Sequence, residues 1–151
     1  MSGDRRKSMF LDSMSRWPAG VSIVTAPEDG KFRAATVSSF TSLSLEPPQV
    51  IVAVKSDSRL LDAADKMGVF FVSLLAEGQE EISNTCAKFT STPLADPLVP
   101  GASATFTCTT EEVMRPRHGT HSILVGRVDT CSADPSRRPL LHWNRDYHRL
   151  D

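Results

Sequence analysis

Apolar residues recur along this chain in two rhythms, one near 3.6 and one near 2, and their alternation predicts a few short helices among many strands. Phe10, Leu11, Met14 and Trp17 fall at helical spacing, and the pattern stops at Pro18 and Gly20. Residues 7–16 are therefore expected to form an amphipathic helix, with Trp17 packed into the core. The next run, 21–25, is short and β-branched and ends at Pro27, Glu28, Asp29 and Gly30. It predicts a strand leading into a hairpin, with 34–43 as the returning segment. Beyond Pro47 and Pro48, residues 49–54 are apolar at nearly every position, as in a strand buried on both faces or lining a closed barrel.

Asp57 or Ser58 can cap a helix over 59–66, Gly68 then opens a strand over 69–75, and a further short helix is expected over 77–86. Residues 88–101, interrupted by Pro93, Pro97 and Pro100, read as a surface loop. Alternation returns over 102–113, 122–132 and 140–150, with breaks at Arg115-Pro116 and between Pro135 and Pro139. Six or seven short strands joined by turns rather than regular crossover helices favour a mainly β, antiparallel barrel over a doubly wound parallel sheet. With 151 residues, the expectation is a single domain over 1–151.

Charge and cysteine usage narrow the setting. A formal charge of −1, with no basic stripe, removes the electrostatic footing for nucleic-acid binding. Residues 1–7 are polar and no run approaches the roughly 18 apolar residues that span a bilayer, so no membrane partner or export is expected. Cys86, Cys108 and Cys131 are widely spaced and form no C-x-x-C pair, which speaks against a disulfide framework and a zinc ribbon and for a reducing, cytoplasmic location.

Three polar clusters could carry chemistry. The stretch from Ala35 to Ser44 holds Thr36, Ser38, Ser39, Thr41 and Ser42, hydroxyls suited to a ligand edge rich in donors and acceptors or simply to a solvated strand face. Lys55-Ser56-Asp57-Ser58-Arg59 ends a buried strand and opens a helix, a plausible phosphate seat or a plain cap. Arg117-His118-Gly119-Thr120-His121 is a glycine-bearing turn before a strand, where a histidine can lean over a bound ring or stand in solvent. No carboxylate or cysteine lies beside His118 and His121 to complete a metal site. Arg115, Arg117 and Arg127 near this turn could meet a nucleotide's 2′-phosphate or simply form a solvated face, and His142 and His148, flanking Trp143 and Tyr147, read as structural or interface residues. G-x-G-x-x-G, G-x-x-x-x-G-K-[ST] and G-x-S-x-G are absent, which disfavours a Rossmann domain, a P-loop NTPase and an α/β-hydrolase.

Taken in order, Trp17-Pro18-Ala19-Gly20-Val21-Ser22-Ile23-Val24-Thr25, Ala35-Thr36-Val37-Ser38-Ser39-Phe40, Ser42-Leu43-Ser44-Leu45-Glu46-Pro47-Pro48 and His118-Gly119-Thr120-His121 resemble the flavin reductase-like family. Its members include the small reductases of two-component flavin monooxygenases. The resemblance runs from about Phe10 to Leu150 and implies a split β-barrel of the Greek-key, FMN-binding type, homodimeric, with flavin near the subunit interface. By the same resemblance Phe32, Arg33, Ala34, Ala35 and Thr36, with Ser38 and Ser39, would hold the isoalloxazine ring, largely through backbone groups. Ala53, Val54, Lys55, Ser56, Asp57, Ser58 and Arg59 would carry the ribityl chain and phosphate, Ser58 and Arg59 most directly.

Gly119-Thr120-His121 matches the family's Gly-Asp-His turn with Thr120 in place of the aspartate, and His121 would seat the nicotinamide. Lys88-Phe89 would stand for the family's Lys-Phe at the flavin's outer edge, reached through a segment after Ser83 shorter than the family's. The implied activity is hydride transfer from NADH or NADPH to FMN or FAD, by stacking rather than by an ionised nucleophile. The reduced flavin would be supplied to a partner monooxygenase. The rival readings are a flavin-binding split barrel that only carries or senses flavin, and a dimeric interaction barrel with no cofactor.

Overall fold

Asp29 and Gly30 both adopt positive φ, 51° and 75°, the geometry with which a two-residue turn matches the twist of the strands it joins. They link β2 (Ser22–Glu28) to β3 (Lys31–Val37) in a hairpin closed by Glu28 opposite Lys31. In the computed structural model, which describes residues 2–88 and 92–151, the remaining elements follow in order. They are α1 (Gly3–Met14) and β1 (Ala19–Gly20) before this hairpin, then β4 (Thr41–Leu45), β5 (Pro48–Lys55), α2 (Arg59–Met67), β6 (Val69–Leu74), α3 (Glu80–Lys88), β7 (Thr92–Leu94), β8 (Ala104–Met114), β9 (His121–Ala133), β10 (Leu141–Trp143) and β11 (Asp146–His148).

One antiparallel sheet runs β4-β5-β9-β8-β6-β2-β3-β7, and a small sheet joins β1, β10 and β11. The large sheet curls until β3 comes against β5, with no ladder between the two among the described strand pairings. The mainly β, split-barrel expectation holds in this form. Helix α2 packs over β2 and β3 and carries Leu60, Leu61, Ala63 and Ala64 into a core with Val24, Val52, Phe70, Val72, Cys108 and Leu124. A second core gathers Val21, Ile23, Ala34, Leu75, Cys86, Val99 and Leu140. In β5 the buried side chains are Val50, Val52 and Val54, while Ile51 and Ala53 are half-buried, so one face of the strand is fully in the core.

Several local expectations shift. The first helix begins earlier, because Ser2 caps it by accepting from the Arg5 N–H at 3.3 Å. Among the described residues nothing buries its side chains, and Trp17 is 69% exposed rather than in the core. What holds α1 is polar: Arg145 pairs with Asp12 at 2.6 Å, Arg16 bonds Asn144, and the Arg16 guanidinium lies over the Trp143 ring at 5.1 Å. The returning segment 34–43 is two strands, β3 and β4, separated by residues 38–40. The third helix lies two or three residues later than expected, the loop over 88–101 contains β7, and 140–150 is a hairpin rather than one strand. Its turn residues, Asn144 and Arg145, take φ of 52° and 65°, a conformation that an arginine does not advertise in sequence.

Candidate functional site

Where strand ladders stop, backbone edges become available to a ligand. On β3 the pairing with β7 covers Phe32, Arg33 and Ala34 and ends there; on β5 the pairing with β4 ends at Ile51. Just beyond those limits Ala35, Thr36 and Val37 face Ala53, Val54 and Lys55 across a groove of about 150 Å³, completed by Ser58 and His121. Residues more than sixty positions apart meet here through the β5–β9 ladder, in which Lys55 stands opposite His121.

The phosphate-like end is built by α2. Ser58 is its N-cap, buried, with its hydroxyl accepting from the Leu61 N–H at 3.1 Å. The positive end of the helix dipole thus opens beside the groove. Arg59, the first helical residue, turns away to pair with Glu28, the last residue of β2, and Arg33 donates to the same carboxylate oxygen from Nε and Nη2 at 3.2 Å each. Desolvation pushes the Glu28 carboxyl up, but the hydrogen bonds and charges of Arg59 and Arg33 outweigh it and hold the carboxyl below its ordinary 4.5.

The histidine turn is tied to the same place. The Ser56 N–H donates to the Thr120 carbonyl at 2.9 Å, and the Ser56 and Ser122 hydroxyls are 2.7 Å apart. Gly119 has a φ of 97°, which only glycine adopts readily. His121 is exposed, with Nδ1 2.8 Å from the Thr120 hydroxyl, which leaves Nε2 as the ring nitrogen that Thr120 does not engage.

Not every expected residue meets the groove. Phe32 packs edge-on against Phe71, at 5.8 Å between ring centroids, and Ala34 is fully buried and paired with a strand on each side, opposite Thr25 and Thr92, so it does not line the groove. The Ser39 hydroxyl donates to the Ala53 carbonyl at 2.8 Å and accepts from its N–H at 3.1 Å, extending the β4–β5 pairing by a side chain. Thr36 donates to the Ser83 carbonyl at 2.6 Å. Asp57 is an exposed turn residue, Lys88 is the last residue of α3, and Phe89 lies outside the described residues.

Sequence reasoning missed Val37, which lines the groove, because it read only as a strand residue. It also missed a second cavity of about 180 Å³ that shares Thr36 and Val37 and adds Ser38, Ser83, His142 and Tyr147. There the Tyr147 hydroxyl donates to Asn84 Oδ1 at 2.8 Å and accepts from Ser83 Oγ at 2.7 Å. Of the three candidate arginines, Arg115 pairs with Asp62 and Asp65, and Arg127 with Glu111 and Asp129.

The donor set fits a flat, polar-edged ring carrying a phosphate: unladdered backbone on two strands, a capped helix end, a lysine and a histidine. Among the described residues no group of three or more His, Cys, Asp or Glu side chains is placed to hold a metal, and no helix is long and apolar enough to cross a membrane.

Residues 14–151 match the profile of the flavin reductase like domain. The reductase component of 4-hydroxyphenylacetate 3-monooxygenase from Thermus thermophilus is 36% identical over 146 residues, covering 95% of this chain and 97% of that protein. The NADH-dependent flavin reductase StyB of Pseudomonas fluorescens is 31% identical over 157 residues, covering 96% and 91%. Among solved structures, the styrene monooxygenase flavin reductase of Pseudomonas putida superposes with a TM-score of 0.82 at 32% identity, covering 94% of this chain and 97% of that one. An NADH:FAD oxidoreductase of Streptomyces globisporus, solved with NAD and FAD fragments, gives 0.84 at 26% identity, covering 100% and 96%.

Proposed function

This chain belongs to the flavin reductase-like family, and from that premise we propose that it passes hydride from NADH to a flavin held in the groove between β3 and β5. The observation that carries the reading is the apposition of Lys55 and His121, which brings the Ser58 helix end, the 35–37 edge and the histidine turn into one site. A bound flavin supplies the hydride acceptor and the nicotinamide the donor. The chain's own residues bind, orient and exclude water. The backbone edge at Ala35 to Val37, with Lys55 across the groove, grips the ring, Ser58 and the α2 dipole receive the phosphate, and His121 positions the nicotinamide. No side chain is needed as acid or base, because the rate comes from holding two rings in contact.

NADH is favoured over NADPH because two of the three candidate arginines, Arg115 and Arg127, are already engaged by carboxylates, and related reductases carry NADH in their names. FMN is favoured because the groove and helix end account for one phosphate. The exposed apolar face of α1, with Met9, Phe10, Leu11 and Met14, together with Trp17, Leu43 and Leu45, is covered by a second copy in a homodimer. Three free thiols suit a cytoplasmic setting, and the reduced flavin is handed to a monooxygenase component, a reading supported by relatives named as the reductase component or subunit of a monooxygenase.

The test is anaerobic mixing of protein with FMN or FAD and NADH or NADPH, followed at the flavin and nicotinamide bands. Matched loss of both bands, faster with NADH and FMN, is expected. Flavin binding without loss of either band would replace the reductase by a carrier or sensor.

A further inference from the structure

We propose that Glu28 is a built-in rival of the flavin phosphate for Arg59, keeping phosphorylated flavin weakly held and readily released. The inference rests on the phosphate seat at Ser58 described above. Glu28 lies on the same strand face as Ala26 and its cross-strand partner Arg33, at the end of the hairpin nearest the start of α2. Arg33, 18% exposed, fixes the carboxylate by a two-pronged contact to Oε1. Arg59, 59% exposed, reaches the same oxygen from the solvent side. The carboxylate is thus anchored, and Arg59 is the member able to leave.

An arginine at the first position of a helix, directly after its N-cap, is where a phosphate at that helix end recruits a charge-assisted partner. Here the guanidinium reaches the phosphate only by parting from Glu28, so each bound phosphate gives up one ion pair to gain another. The riboflavin part of the ligand makes no such exchange. Glu28 therefore lowers affinity for FMN and leaves affinity for riboflavin untouched, which suits a protein that must pass reduced flavin onward.

The experiment is titration of full-length protein with oxidised FMN and with riboflavin, by quenching of flavin fluorescence, for the wild type, Glu28→Gln, Glu28→Ala, Arg59→Ala and the Glu28→Gln/Arg59→Ala pair. Expected is an FMN dissociation constant about three- to tenfold lower in both Glu28 variants, the span of an exposed ion pair. Riboflavin should stay unchanged, and the gain should be lost when Arg59 is also removed. An unchanged or weaker FMN affinity in the Glu28 variants, in a protein whose wild type prefers FMN to riboflavin and loses that preference with Arg59→Ala, overturns the rivalry while leaving the seat standing. Equal affinity of the wild type for both flavins, unaltered by Arg59→Ala, overturns the seat itself and the rivalry with it.

Discussion

Gly126 on β9 yields its side-chain space to Phe70 on β6: a Cβ on Gly126 would lie 2.3 Å from Phe70 Cζ and 2.5 Å from Cε1. Phe70 is fully buried at the centre of the larger core, so the ring has nowhere to retreat. The strand between them, β8, contributes Cys108 to the same contact at 3.0 Å. The glycine is what allows three strands of the curled sheet to close over one aromatic ring.

Gly126→Ala is accordingly expected to cost about 1–3 kcal/mol by overpacking, lowering the midpoint of thermal unfolding by several degrees. Combining it with Phe70→Leu should cost less than the two single changes added together. Differential scanning calorimetry on the four proteins decides it, and strict additivity would mean that the two residues do not compete for space.

Ser58→Ala removes the cap from a helix whose first turn is buried on one side. The loss should be about 1 kcal/mol, measurable as a shift in the urea midpoint. FMN affinity should fall while riboflavin affinity holds, which isothermal titration of both flavins reads directly; a parallel fall for both would place the phosphate elsewhere.

His121 is exposed and makes its one described side-chain contact with neighbouring Thr120, so His121→Ala should leave folding intact. Loss of one ligand hydrogen bond corresponds to about a five- to tenfold rise in KM for NADH, with flavin affinity within about twofold of wild type. Steady-state kinetics with NADH varied at saturating flavin tests it, and unchanged NADH saturation would remove His121 from the site.

The three thiols should differ sharply. Burial raises the Cys86 thiol, and burial followed by the nearby Asp129 and Cys131 charges pushes Cys108 up to about 12, whereas Cys131 is exposed. Native protein with iodoacetamide at pH 8 should be labelled once, at Cys131, by peptide mass mapping. Because folding favours the neutral Cys108 thiol, its contribution to stability is complete below the ordinary thiol value of 9.0 and is lost as pH rises from there towards about 12. Rapid labelling of Cys108 at pH 8 would contradict its burial.

A charge on the outward face of α1 should break the proposed homodimer without unfolding the chain, since α1 buries nothing against the described residues. Met14→Glu is expected to halve the mass seen by light scattering while the far-ultraviolet dichroism is unchanged; a mass independent of this substitution would move the interface elsewhere.

Much of the local structure was legible along the chain, because propensity and burial act on neighbouring residues. A continuous apolar run marks 49–54 as a buried strand, the residues from Pro27 to Gly30 mark the hairpin turn, and Asp57 or Ser58 announces the start of α2; that Val50, Val52 and Val54 form the strand's one fully buried face is visible only in the fold. The ordered motifs from Trp17 to His121 pointed to the family. What the linear pattern did not carry depends on strands distant in sequence. A helical apolar stripe is the same whether it faces this chain's core or a second copy, so the pattern alone puts Trp17 in the core although the fold leaves it exposed. The turn at Asn144-Arg145 is held by contacts to α1 rather than by a glycine.

The sequence by itself determined which residues carry polar chemistry: the hydroxyl-rich segment after Ala35, the capped helix at Ser58 and the histidine at 121. Only the tertiary structure decided that Lys55 and His121 stand opposite one another, that Ser39 is spent on Ala53, and that Arg59 is held by Glu28. Short-range periodicity encodes which way a side chain points, whereas the partner it meets is set by sheet order and curl, which arise from packing the whole core at once.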